Sequence, residues 1–167
     1  MDNFLFLDAD GVFNTIENKL LSKDNRQLNI DGCVFPTIYY KPQLVRNINA
    51  LCDRYHLKVV FSSTWRQDYE LPYMKQLFKY IGFTCQLVDY TTTENLPHDI
   101  ENNDLRGLQI QQWLEKNIYA DYIVIDDMFG AGGYQHADRF IHVDNMSGFD
   151  YTAYKLAINK FDNIFGV

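Results

Sequence analysis

Four short apolar runs, each cut off by acidic or polar residues, constrain this chain more than any other feature. They are Phe4–Leu7, ending at Asp8; Leu57–Phe61, ending at Ser62; Tyr122–Ile125, ending at Asp126; and Arg139–Val143, ending at Asp144. Runs this short and this apolar read as strands buried on both faces. A fifth run, Cys85–Val88, is weaker. Between the runs, apolar residues recur at helical spacing. Leu44, Ile48, Leu51 and Tyr55 follow Pro42, which suits a helix start; Met74, Leu77, Phe78 and Ile81 stop at Gly82, which suits a helix end. Leu105, Leu108, Ile110, Trp113 and Leu114 make a third stripe, and Tyr154, Leu156, Ile158 and Phe161 a fourth with Asp150 as its N-cap. Strands alternating with helices predict an α/β fold, a parallel sheet covered on both faces.

Residues 12–40 are mixed and Thr91–Asp104 is polar, but neither is large enough for a second core. The whole chain, 1–167, therefore reads as a single domain with an insertion at about 12–40, roughly a β-hairpin flap. Its 47% hydrophobic content excludes a disordered chain. The net charge of −7 argues against a nucleic-acid binder held by a long basic surface, while leaving room for a local phosphate site. The start lacks the basic segment and long apolar stretch of a secretory signal, and no run is long enough to span a membrane. Cys33, Cys52 and Cys85 are odd in number and widely spaced, as expected of three buried thiols in a reducing cytoplasm; signal-free export would leave no trace.

Ligands of parallel sheets bind beyond the carboxyl ends of the strands. Here those ends carry Asp8-Ala9-Asp10-Gly11, Ser62-Ser63-Thr64 and Asp126-Asp127. Carboxylates gathered at one edge repel one another unless a cation neutralises them, and hard oxygen donors with few others point to Mg²⁺. His56, His98, His136 and His142 have no metal-ligand spacing.

The order Asp-x-Asp-Gly, Ser, a basic residue, then Asp-Asp resembles the haloacid dehalogenase (HAD) superfamily of phosphohydrolases. Phe4-Leu5-Phe6-Leu7-Asp8-Ala9-Asp10-Gly11-Val12 is similar to its first motif, Val59-Val60-Phe61-Ser62 to the second and Ile123-Val124-Ile125-Asp126-Asp127 to the fourth. Phe61-Ser62-Ser63-Thr64-Trp65-Arg66, with Arg106-Gly107, resembles one branch, the HAD domain of Swiss-army-knife RNA-repair proteins. The resemblance implies a Rossmann-like three-layer sandwich with a central sheet of about five strands. It also implies a phosphatase with Asp8 as nucleophile and Asp10 as general acid and base. Asp8, the backbone carbonyl of Asp10, Asp126 and Asp127 would hold Mg²⁺, and Ser62, with Ser63 as the alternative, would contact the phosphoryl oxygens. The usual third-motif lysine is missing; Arg106 is the best-placed basic residue, and Lys116 is expected on the surface.

The short intervals between motifs imply a capless site, or one with a minimal flap. An open site favours a large substrate, a polynucleotide end or a phosphoprotein, over a small metabolite or nucleotide. Trp65, Arg66, Tyr39 and Tyr40 are candidate substrate contacts, although Trp65 and Phe13 are equally suited to packing beneath the site. A receiver-type signalling module is disfavoured, because its lone mid-chain aspartate is Ser62 here. A silent partner-binding relative remains the alternative.

Overall fold

Leu5 and Leu7 face one side of the central sheet and Phe4 and Phe6 the other, and this alternation sets the layers. The computed structural model describes residues 2–22, 27–92, 102–117, 121–132 and 134–166. In chain order the elements are β1 (Asn3–Leu7), α1 (Ile16–Leu21), β2 (Leu28–Ile30), β3 (Cys33–Phe35), α2 (Pro42–Tyr55), β4 (Leu57–Phe61), α3 (Leu71–Ile81), β5 (Leu87–Tyr90), α4 (Asn102–Lys116), β6 (Asp121–Asp126), β7 (Phe140–His142) and α5 (Tyr151–Phe165). Short 3₁₀ turns lie at Thr64–Gln67, Phe129–Ala131 and Ala137–Arg139.

Five parallel strands form the sheet in the order β5-β4-β1-β6-β7. The chain winds outward from β1 in both directions, so strand order reverses beside β1, where such folds open a ligand crevice. Leu7 pairs with both Phe61 and Ile125, which brings the ends of β1, β4 and β6 level. The pairing continues one step further, with Asp8 N–H donating to the Ile125 carbonyl and Ser62 N–H to that of Leu7.

Leu5, Leu7, Val59, Phe61 and Ile125 join Ile48 and Leu51 of α2, Phe78 of α3 and Phe161 of α5 in the larger core. Phe4, Phe6, Val60 and Val124 pack against Ile110 and Trp113 of α4 in the smaller one. Each fully buried side chain of this size stabilises the fold by roughly 1.5–3 kcal/mol, so the two cores, one per face, hold the three layers together. The expected caps appear: Pro42 opens α2, Gly82 closes α3 at φ 98°, and the Asp150 carboxylate accepts the Ala153 N–H at the start of α5. Among the described residues no helix is long and apolar enough to cross a membrane.

Several local expectations shift. The fifth strand is Leu87–Tyr90 rather than Cys85–Val88. Asp89 looks too polar for it, but its carboxylate accepts the Trp113 indole N–H at 2.7 Å, and this strand edges the sheet. Leu156 leaves the apolar stripe and is 53% exposed, because Ala157 and Phe161 define the buried face of α5 and Leu156 lies well round the helix from them. The insertion holds a helix as well as a hairpin. Its first residues, Val12 and Phe13, belong to the core, α1 follows, and β2 and β3 pair around Asp31-Gly32, both at positive φ as a two-residue hairpin turn requires. Cys52 is buried, whereas Cys33 and Cys85 are only partly so, and all three are free. Most of the polar segment Thr91–Asp104, His98 included, lies outside the described residues.

Candidate active site

Gly11 sets the shape of the loop that leaves β1. Its φ is +74°, and a Cβ there would stand 2.4 Å from the Asp127 carboxyl carbon, so only glycine lets the two acidic loops touch. The turn itself is tied by the Ala9 carbonyl, which accepts the N–H groups of Val12, Phe13 and Asn14.

The structure brings carboxylate oxygens of Asp8, Asp126 and Asp127 within 4.8 Å of one another, a cluster able to coordinate a divalent cation. Asp8 and Asp126 are almost fully buried. Burial first, then the neighbouring Asp126, raises the Asp8 pKa to about 7. Burial also raises the pKa of Asp126, and burial with Asp126 alongside raises that of Asp127. Among the described residues, Arg106 is the cation in contact with these charges. Arg106 Nη1 lies 2.7 Å from Asp126 Oδ2, as a hydrogen bond, and 2.9 Å from Asp8 Oδ1, a charge contact without hydrogen-bond geometry. Burial works against the Arg106 charge, but Asp8 and Asp126 outweigh it and hold the guanidinium firmly protonated. Arg106 sits about one turn inside α4, slightly deeper than the helix-start position expected of it. Lys116 is exposed at the far end of that helix.

One guanidinium cannot balance three carboxylates gathered this closely, two of them almost fully buried. Among the described residues Asp8 Oδ1 has no hydrogen-bond partner, and this all-oxygen cluster fits a hard divalent cation.

Asp10 is not part of this cluster; it is exposed and raises the Asp127 pKa further. Its Oδ1 accepts from Asn14 Nδ2 at 2.6 Å and its Oδ2 from the Trp65 indole N–H at 2.8 Å. Asn14 was invisible to sequence reasoning, being one asparagine in a mixed loop. Its side chain also accepts the Tyr39 N–H at 2.6 Å, so it links Asp10 to the segment leaving the flap. Trp65 sets its ring edge-on to Phe13 and Phe61 above the larger core. Of the candidate substrate contacts, Tyr39 lines a cavity of about 300 Å³ with Asp10, Asn14, Lys19 and Asp127, while Tyr40 packs partly against the core.

The two serines have separate fates. Ser63 Oγ caps the 3₁₀ turn by accepting the Trp65 N–H, and it also lowers the Asp8 pKa. Ser62 Oγ is buried beside it with no hydrogen-bond partner among the described residues. Arg66 folds back from that turn onto the Ser63 carbonyl and the Gln109 side chain.

No curated protein matches the chain. A family model described as the HAD domain in Swiss Army Knife RNA repair proteins matches residues 4–153, which include the Asp-x-Asp-Gly loop, Ser62, Arg106 and the Asp126-Asp127 pair. The clustered Asp triad has the composition of a phosphohydrolase active site. On this match, spanning most of its length, the chain belongs to the HAD domain family of Swiss Army Knife RNA repair proteins.

Proposed function

We propose that this protein is a Mg²⁺-dependent phosphomonoesterase that works through an aspartyl-phosphate on Asp8, with the full chain acting as one domain. The convergence of Asp8, Asp126 and Asp127 within 4.8 Å, incompletely balanced by Arg106, carries this reading. Asp8, Asp126, Asp127 and the Asp10 backbone carbonyl would hold the metal. When bound, Mg²⁺ offsets charge between the acidic cluster and the incoming phosphate.

The chain's own groups do the rest. An Asp8 carboxylate oxygen attacks phosphorus in line, forming a P–O bond as the bond to the leaving oxygen breaks. Asp10 gives that oxygen a proton, then removes one from the water that attacks the phosphoenzyme and releases inorganic phosphate. Ser62 Oγ, buried and without a partner among the described residues, is suited to donate to a phosphoryl oxygen, with Ser63 already engaged. Arg106, touching both Asp8 and Asp126, supplies the fixed positive charge usually given by lysine. The cavity beside Asp10 gives the leaving group room under the flap.

The substrate we favour is large, a polynucleotide end or a phosphoprotein, because the flap is small. The family's association with RNA repair supports the first. The free thiols fit a cytoplasmic protein. Hydrolysis of an aryl phosphate tests the chemistry. We expect turnover only with Mg²⁺ and a loss of at least about a thousandfold in Asp8→Asn and Asp10→Asn. Activity that survives Asp8→Asn would overturn the mechanism.

A further inference from the structure

A second cation, Arg66, lies near Arg106; Asp8 attracts it at a distance, but among the described residues no carboxylate pairs with it. Arg66 holds its guanidinium against the Ser63 carbonyl and the Gln109 side chain, both neutral acceptors. Among the described residues its buried Nε has no hydrogen-bond partner and Arg66 forms no ion pair. Burial, then the nearby Arg106, pushes its pKa down to about 10; it remains a cation at neutral pH in surroundings that disfavour one. Such a group gains strongly from an anion.

Arg66 and Arg106 line a cavity of about 250 Å³ with Thr64, Gln109 and Met128. Next along the chain from Met128, Phe129 is 50% exposed, with its ring edge-on to that of the exposed Tyr134 at 5.1 Å. Exposed rings of this kind offer a nucleobase a surface to stack on.

We propose that this cavity binds the phosphodiester neighbouring the terminal phosphate of a polynucleotide end. Arg66 grips the non-bridging oxygens through the free hydrogens of its terminal nitrogens, and Phe129 and Tyr134 receive the adjoining base. The proposal rests on the phosphomonoesterase reading and narrows its substrate. In a polynucleotide the next phosphate follows the terminal one at a constant spacing whatever the base. A guanidinium anchored at two points suits such a fixed partner. In a phosphoprotein the nearest second anion lies wherever the sequence places it.

The test is titration calorimetry on Asp8→Asn protein with Mg²⁺, using dinucleotides that carry a 3′- or 5′-terminal phosphate. Each is compared with the same compound bearing a neutral methylphosphonate linkage. For one of the two termini, the charged linkage should bind at least about tenfold tighter, an advantage that shrinks as salt is raised. Adding Arg66→Gln should reduce the advantage to about twofold or less. Arg66→Lys, which keeps the charge without the fork, should leave an intermediate advantage and covers the case in which Arg66→Gln does not fold. No advantage for either terminus, or one that persists undiminished in both variants, overturns the subsite. So does a charge-dependent gain seen only with a doubly phosphorylated peptide. The readout is binding to protein without its nucleophile, so wild-type protein that fails to turn over aryl phosphate would remove the phosphatase reading alone.

Discussion

At the scale of single residues, the mechanism we propose depends on what holds Asp10 as much as on the clustered acids. Two N–H donors fix its carboxylate from opposite sides, Asn14 at 2.6 Å and Trp65 at 2.8 Å. In the proposed mechanism both are positioning residues, since they act through Asp10. Trp65→Phe keeps an aromatic ring on Phe13 and Phe61 but removes the donor. We expect kcat to fall about tenfold with KM little changed and the melting temperature nearly intact. Trp65→Ala should lose the packing too and cost about 2 kcal/mol or more in chemical denaturation. An equal loss of kcat in the two variants, tracking stability, would mean that the ring matters and the N–H does not. Asn14→Ala should resemble Trp65→Phe in kcat. Asp8, Ser62, Asp126 and Asp127 were legible because each ends an apolar strand, where a polar residue stands out. Asn14 was not, because its importance lies in two hydrogen bonds to parts of the chain that its own neighbourhood does not reveal.

At the scale of elements, His136 ties α4 to β6. Its Nε2 faces the Gly107 carbonyl at 3.0 Å and its Nδ1 the Tyr122 hydroxyl at 2.9 Å. A carbonyl only accepts, so Nε2 carries the hydrogen and the neutral ring accepts at Nδ1. Burial holds the His136 pKa below its usual 6.5. Between that lowered value and about 6.5 the unfolded chain binds more protons than the folded one, so this contribution to stability is complete above 6.5 and is lost on acidification. The raised carboxyls of Asp8, Asp126 and Asp127 pull the other way, since the folded state holds their protons longer. The measurement is therefore a difference. Relative to wild type, His136→Asn should lose less stability as pH falls through about 6.5, read from urea midpoints. Parallel pH profiles would show that His136 does not titrate on unfolding. The helices on the larger core were readable from their spacing because each buries one face. The flap helix α1 was not, because none of its residues is buried and no apolar stripe marks it. The exposed rings of Phe129 and Tyr134 escaped for the same reason, since a surface pair leaves no period in the sequence.

At the scale of the whole molecule, the acidic cluster is a source of instability until a cation arrives. The folded chain should bind Mg²⁺ where the unfolded chain does not, so Mg²⁺ at a hundred times its dissociation constant should add about 2.7 kcal/mol and raise the melting temperature. Asp126→Asn should erase that rise while leaving the metal-free protein as stable as wild type or more so, because a buried like charge is removed. A variant that is less stable without metal, yet still responds to it, would place the cation elsewhere. The level strand ends have a final consequence, and it concerns how the protein is made. Asp8 leaves the ribosome well before its partners in the site, which wait on β4, α4 and β6, and β6 pairs directly with β1 across a long stretch of chain. Such long-range pairing forms late, after the cost of closing a large loop has been met. A nascent or truncated chain that has not yet added β6 can hold no hydrolytic centre, so chemical competence arrives together with the finished sheet.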